Sequence, residues 1–128
     1  MAGLLDHLVI THTDDKGVPV LRLRGGLDLL TLPELQGALA AIPLTVPQVV
    51  LDMRALEFID STGVRGLLQA DFARRAVGGS LVFIAPSDGT FARTVRLLRL
   101  LDRLDVRDDD PGGEGDGLSQ VGTSPGDA

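Results

Sequence analysis

Apolar residues along this chain fall into short runs whose period changes. Residues 4–12 and 18–24 carry the signature of strands. In the second, Val18, Val20, Leu21 and Leu23 form a β-rich run with Arg22 and Arg24 alternating outward. Asp14-Asp15-Lys16-Gly17 between them is a hairpin turn signal. Gly25-Gly26 is expected to end the second strand. From Thr31 the period lengthens. Thr31-Leu32-Pro33-Glu34 combines capping-box spacing with a proline in the first turn. Leu32, Leu35, Leu39 and Ile42 then recur at helical spacing, and Pro43 closes the helix.

Residues 47–53 are almost continuously apolar, as a buried strand requires. Phe58 and Ile59 make a short apolar approach to Asp60-Ser61-Thr62-Gly63. A helix is expected from about Thr62 to Val77. Its buried stripe is Val64, Leu67, Leu68 and Phe72, with Arg65, Gln69, Arg74 and Arg75 outside. Gly78-Gly79 ends it. Residues 80–85 form another buried strand. A helix over about 88–101 follows, with Phe91, Val95, Leu98 and Leu101 on its inner face, and Leu104 to Arg107 is a last short strand.

Strands that alternate with helices imply crossover connections. The expected fold is therefore a small α/β domain, a mixed β-sheet with helices packed against it, preceded by an N-terminal β-hairpin. The domain spans residues 1–107. Residues 108–128 are acidic and glycine-rich, have little apolar surface to offset ordering, and are expected to form a disordered tail.

Composition narrows the function. There is no cysteine, which removes disulfides, thiolate metal sites and cysteine nucleophiles. The two histidines, His7 and His12, lack a partner cluster and read as strand-surface residues. No signal peptide or membrane span is legible, so a soluble, cytoplasmic protein without direct membrane contact is expected. The net charge of −6 is carried by the C-terminal end, while residues 1–101 are balanced. That balance argues against nucleic-acid binding, which calls for a basic face.

The chemistry-bearing candidate is Ser61. A nucleophile elbow needs Gly-x-Ser-x-Gly, but Ile59 stands at the first glycine position and no histidine is near in sequence. An aspartic-protease turn has one hydroxyl residue between Asp and Gly, not two, and needs a second copy. Gly63-Val64-Arg65-Gly66 lacks the Lys-Ser/Thr of a phosphate loop. Asp28, Asp52, Asp60 and Asp88 are scattered in the manner of caps and surface charges, and neither a metal nor another cofactor is expected. Two descriptions of Ser61 remain open. It is a plain helix cap, or a serine modified by another protein at a position where unpaired helix N–H groups tolerate a phosphate.

Two stretches resemble a known family. Gly25-Gly26-Leu27-Asp28-Leu29-Leu30-Thr31 is similar to the Gly-Glu-Leu-Asp-x-x-Thr segment of STAS domains, which are shared by sulfate transporters and anti-sigma factor antagonists. Asp60-Ser61-Thr62-Gly63-Val64 resembles their Asp-Ser-Ser/Thr-Gly-Leu phosphorylation motif. Val49-Val50-Leu51-Asp52 and Gly78-Gly79-Ser80-Leu81-Val82 fit the surrounding frame, and the similarity covers about residues 8–107. The resemblance implies a stand-alone anti-sigma factor antagonist in a bacterial partner-switching system, of the kind that regulates transcription in stress response or sporulation. Such a protein is not an enzyme. Unmodified, it binds an anti-sigma factor that is often itself a serine kinase. The kinase phosphorylates the serine after the motif aspartate, here Ser61, and the complex is lost until a phosphatase restores it.

The same resemblance places Asp28 near the kinase contact, gives Asp60 a role in orienting the turn and in recognition, and lets Thr62 and Gly63 shape the docking surface. Three departures stand out. Gly26 replaces the common Glu. Arg65 occupies a first-turn position that is often small. An acidic tail stands where the family usually has a last amphipathic helix. The alternative is a STAS scaffold that is never phosphorylated, or the soluble subunit of a lipid-transport complex.

Overall fold

The computed structural model describes residues 7–108. Along the chain come β1 (Leu8–Asp15), β2 (Val18–Leu27), α1 (Leu32–Ala40), β3 (Gln48–Ile59), α2 (Ser61–Arg75), β4 (Ser80–Ile84), α3 (Thr90–Leu97) and β5 (Asp105–Arg107). These strands form one sheet in the order β1-β2-β3-β4-β5. β1 and β2 are an antiparallel hairpin, and every later neighbour pair is parallel. The expected mixed sheet with an opening hairpin is therefore present.

Each helix links two adjacent parallel strands, and the strands step in one direction across the sheet. Right-handed crossovers place all three helices on one face. Core packing agrees. Leu35 and Leu39 of α1, Val64 and Leu67 of α2, and Phe91 and Val95 of α3 share one cluster with Leu23, Leu51, Leu81 and Phe83 of the sheet. The Phe83 and Phe91 rings stack at 5.4 Å between centroids. Burying each such Leu, Val or Phe contributes about 1.5–3 kcal/mol, so an aliphatic core with few aromatics suffices.

Several elements differ from the sequence expectation. β2 runs through Gly25-Gly26 to Leu27, because register shifts on either side of Gly25 absorb the glycines within the ladder. β3 continues past Met53 to Ile59, so Phe58 and Ile59 end that strand instead of forming a separate approach. Its interruption by Asp52 is tolerated because Arg22 and Arg54 both bond the carboxylate.

The buried stripe of α2 is Val64, Leu67, Asp71 and Arg74, and Phe72 is 75% exposed. Arg74 turns inward to donate to the carbonyls of Ile42 and Val46, which ties down the connection after α1. α3 stops at Leu97. Arg99 adopts φ 59°, Leu100 N–H bonds Val95 O at 2.9 Å, and Leu98 and Leu101 are left exposed. This is the six-to-one closure usually made with glycine in the left-handed position. The expected tail, apart from Asp108, lies outside the described residues.

Candidate functional site

The C-terminal ends of β2 and β3 lie side by side, with Gly26 opposite Phe58 and Leu27 opposite Ile59. Asp60 N–H bonds Leu27 O at 3.2 Å, so the pairing carries on into the turn. Two loops leave this edge together, one holding Asp28 and the other Ser61.

Asp28 is buried and committed to its own loop. Its Oδ1 accepts the N–H groups of Leu30 at 2.9 Å and Thr31 at 3.0 Å. Thr31 Oγ1 accepts Asp28 N–H at 3.0 Å and donates to Gly26 O at 2.8 Å. Thr31 does not cap α1 with its side chain, because its hydroxyl turns back to the loop. This network ties the loop while Leu29 and Leu30 project outward, 68% and 75% exposed. Asp28 thus holds the two leucines in place while its own carboxylate stays inside the loop.

The helix cap at the second loop is Asp60, not Ser61. Asp60 is extended at φ −106° and ψ −178°, and its Oδ1 accepts Gly63 N–H at 2.8 Å. The first helical bond runs from Val64 N–H to Asp60 O. Ser61 is consequently the first helical residue. It is exposed, and its hydroxyl enters no hydrogen bond among the described residues. The N–H groups of Ser61 and Thr62 precede that first helical bond, at the positive end of a fifteen-residue helix.

Gly63 permits the close approach of α2 to the sheet. A Cβ there would meet Leu27 O at 2.7 Å and side-chain atoms of Ile59 and Leu27 at 3.1 Å. Thr62 is half-buried and Arg65 exposed, one turn beyond Ser61 on the same helix. Phe58, 47% exposed, borders the turn from the strand side. The edge therefore gathers Asp28, Asp60, Ser61, Thr62, Gly63 and Arg65, together with Leu29, Leu30 and Phe58. Sequence reasoning left Phe58 out of the contact candidates. Its place opposite the bare Gly26 is a matter of strand register, and no local motif announces it.

No base stands ready beside Ser61 in the bonds described. Among those residues no three His, Asp or Glu side chains gather to hold a metal. A cleft of about 280 Å³ between α1 and α2 is lined by Leu32, Leu35, Leu39, Leu44 and Ala70, with no nucleophile or carboxylate. Among the described residues, no helix is long and apolar enough to cross a membrane.

Asp52 lies on the sheet face turned away from the helices. Burial pushes its carboxyl up, but bonds from the Arg54 side chain and backbone, the Arg54 charge and the bond from Arg22 together hold it below the usual carboxylate value.

A five-stranded sheet with one helix-covered face and an exposed serine at the mouth of α2 defines a small α/β domain. Residues 10–106 match the family described as "Mlab, STAS domain", and the chain belongs to the STAS family. It is 30% identical over 99 residues to the anti-sigma-F factor antagonist RsfB of Mycobacterium tuberculosis, covering 77% of this chain and 79% of that one. An anti-sigma factor antagonist from Mycobacterium paratuberculosis superposes with a TM-score of 0.71 at 25% identity, over 81% of this chain and 88% of that one. SpoIIAA in its unphosphorylated form shares the fold, with a TM-score of 0.58 at 19% identity, over 81% and 90% of the two chains.

Proposed function

We propose that this chain is an anti-sigma factor antagonist switched by phosphorylation of Ser61. The observation that carries this reading is the exposed Ser61 hydroxyl, unbonded among the described residues, on the first residue of a helix capped by Asp60. The 30% identity to an anti-sigma-F factor antagonist supports the partner class.

The unmodified edge docks on an anti-sigma factor through Leu29, Leu30 and Phe58, with Arg65, Asp60 and Thr62 setting register. Gly63 keeps the helix mouth close to the sheet. The partner, acting as a serine kinase, places ATP against the turn. Ser61 Oγ then attacks the γ-phosphorus, the bond to the bridging oxygen breaks, ADP leaves, and the hydroxyl proton passes to the kinase. The product carries about −1.5 to −2 of charge next to Asp60, which repels a partner docked there. Helix N–H groups tolerate the phosphate, so the domain stays folded. A phosphatase returns the hydroxyl. In this cycle the chain is a substrate and a ligand, and not a catalyst.

The test is incubation with ATP and the serine-kinase anti-sigma factors of its own organism, with the phosphate mapped by mass spectrometry. Modification is expected on Ser61 and absent in Ser61→Ala. If no such kinase modifies the chain and Ser61→Asp binds every partner as the wild type does, the reading fails.

A further inference from the structure

Helices α2 and α3 both end at the sheet edge where β4 and β5 begin, away from Ser61. This edge carries apolar side chains that the core does not take up. Leu97, Leu98 and Leu101 are 82%, 45% and 44% exposed. Phe72, in the last turn of α2, is exposed as well. Single exposed leucines are ordinary, but a group of them at one helix end points to a contact. Helical spacing would put Leu98 and Leu101 inside, but α3 closes at Arg99 and leaves them out.

Arginines stand among these leucines. Arg93 and Leu97 are one helical turn apart, and Arg93, Arg96, Arg99 and Arg103 are all exposed. Between Thr90 and Leu104 the single acidic residue is Asp102. Arg96 donates to Ser87 O, whereas the guanidinium groups of Arg93, Arg99 and Arg103 enter no hydrogen bond or ion pair among the described residues. Arg75 joins the two helix ends. Its Nε donates to the buried Asp71 at 2.8 Å, and its Nη2 reaches Arg103 O at 3.4 Å. Asp71 thus neutralises Arg75, and the other four arginines outnumber Asp102.

Arg99 adds an independent reason. It holds φ 59°, a conformation that glycine adopts freely and a side chain does not. Arginines near a helix end favour the macrodipole, but Arg96 already fills that place in the last turn of α3. No side-chain bond of Arg99 among the described residues offsets the strain. A charged side chain held at such a position is best used outside the fold.

We propose that the C-terminal ends of α2 and α3 dock on an anionic lipid surface. Leu97, Leu98, Leu101 and Phe72 enter the headgroup boundary, and the four arginines pair with lipid phosphates. Two observations favour lipid over a protein partner. The leucines project from a helix end, while the cleft described above lies elsewhere, between α1 and α2. A fluid surface needs no matching groove. Arginine stems also lie along apolar surface while their forked heads bind phosphate, which is how interfacial helices use them. Each arginine adds attraction to an anionic leaflet. The sequence expectation of no direct membrane contact rested on the lack of a span, which a surface contact does not require. β5 ends at Arg107 opposite Ile84, so the acidic stretch after Asp108 starts at the other edge. Docking in this way turns Ser61 away from the lipid.

The chain has no Trp, so Leu97→Trp in the full chain supplies a single emission, and Glu57→Trp at the opposite edge is its control. The vesicles are phosphatidylglycerol and phosphatidylcholine in equal parts. On them the Leu97→Trp emission is expected to shift to the blue, and that of Glu57→Trp to stay. In sedimentation the wild-type chain is expected to bind these vesicles and to leave pure phosphatidylcholine alone. Arg99→Gly and Leu97→Ser are each expected to cut binding severalfold. So is about 1 M salt, where screening acts within about 3 Å. Arg99→Gly relieves backbone strain, so its loss of binding does not come from unfolding. Four outcomes overturn the proposal: no binding to the anionic vesicles, equal binding to neutral ones, an equal blue shift at both positions, or binding that neither variant moves. A chain that leaves vesicles alone but binds a synthetic Glu- and Leu-rich helix carries a protein-docking face instead, which overturns it too. No kinase or anti-sigma factor enters this test, so its outcome is independent of the Ser61 switch.

Discussion

Asp60 accepts the backbone N–H of Gly63 at 2.8 Å, and this bond makes Asp60, not Ser61, the cap of α2. With Asp60 as cap, Ser61 is released from structural duty and presents its hydroxyl outward on the first helical residue. The cap and the proposed phosphorylation site are two adjacent residues, Asp60 and Ser61.

Replacing Asp60 tests the cap. Asp60→Ala is expected to cost about 1 kcal/mol of stability, the usual value of a lost N-cap. Asp60→Asn keeps a capping oxygen and is expected to unfold within a few tenths of a kcal/mol of the wild type. Urea unfolding of both variants checks this, and equal losses would show that the cap is not what matters.

Gly63 and Gly66 are expected to respond differently to alanine. At Gly63 the new methyl meets the Leu27 carbonyl of a fixed strand, whereas at Gly66 it meets the terminal atoms of Leu32. Overpacking against backbone is expected to cost Gly63→Ala about 1–3 kcal/mol. Gly66→Ala is expected to lose less, because Leu32 can turn aside and alanine favours helix over glycine. The measurement is the pair of unfolding midpoints.

Acid stability is expected to depend on Asp52. Its folded pKa lies below the unfolded value, so the stabilisation is fully present above about pH 4 and is lost as pH falls through the lower folded pKa. Asp52→Asn is expected to lose about 1–3 kcal/mol at pH 7, where charged hydrogen bonds from Arg22 and Arg54 are given up. The variant is then expected to show a flatter stability profile between pH 5 and pH 3, measured by thermal unfolding.

Arg99 closes α3 in a left-handed conformation that glycine adopts without strain. Arg99→Gly is expected to raise stability by about 0.5–1 kcal/mol, the cost of a side chain there outweighing glycine's larger unfolded entropy. A rise in melting temperature supports this, and a fall would mean that the Arg99 side chain makes a stabilising contact.

Alternating periods made the α/β order and the opening hairpin legible, and the Asp60–Gly63 turn was visible as the entry to a helix. Three features depended on distant partners. Arg74 reads as a surface residue until Ile42 O and Val46 O are brought to it from across the domain. Phe72 is apolar, but it falls one step off the stripe Val64, Leu67, Asp71 and Arg74, whose polar members hide the true period. Asp60 and Ser61 are both good capping residues, and only the backbone angles decide between them. The loop of Asp28, with Leu29 and Leu30 exposed beside it, was legible as a motif, but the closed network around its carboxylate was not.

The most direct test of the switch is the affinity of the anti-sigma partner for the unmodified chain, for Ser61→Ala, and for chain fully phosphorylated on Ser61, measured by titration calorimetry. The expected result is equal affinity for the first two and a loss of about 100-fold, near 2.7 kcal/mol, for the third. Equal affinity across all three would contradict the account.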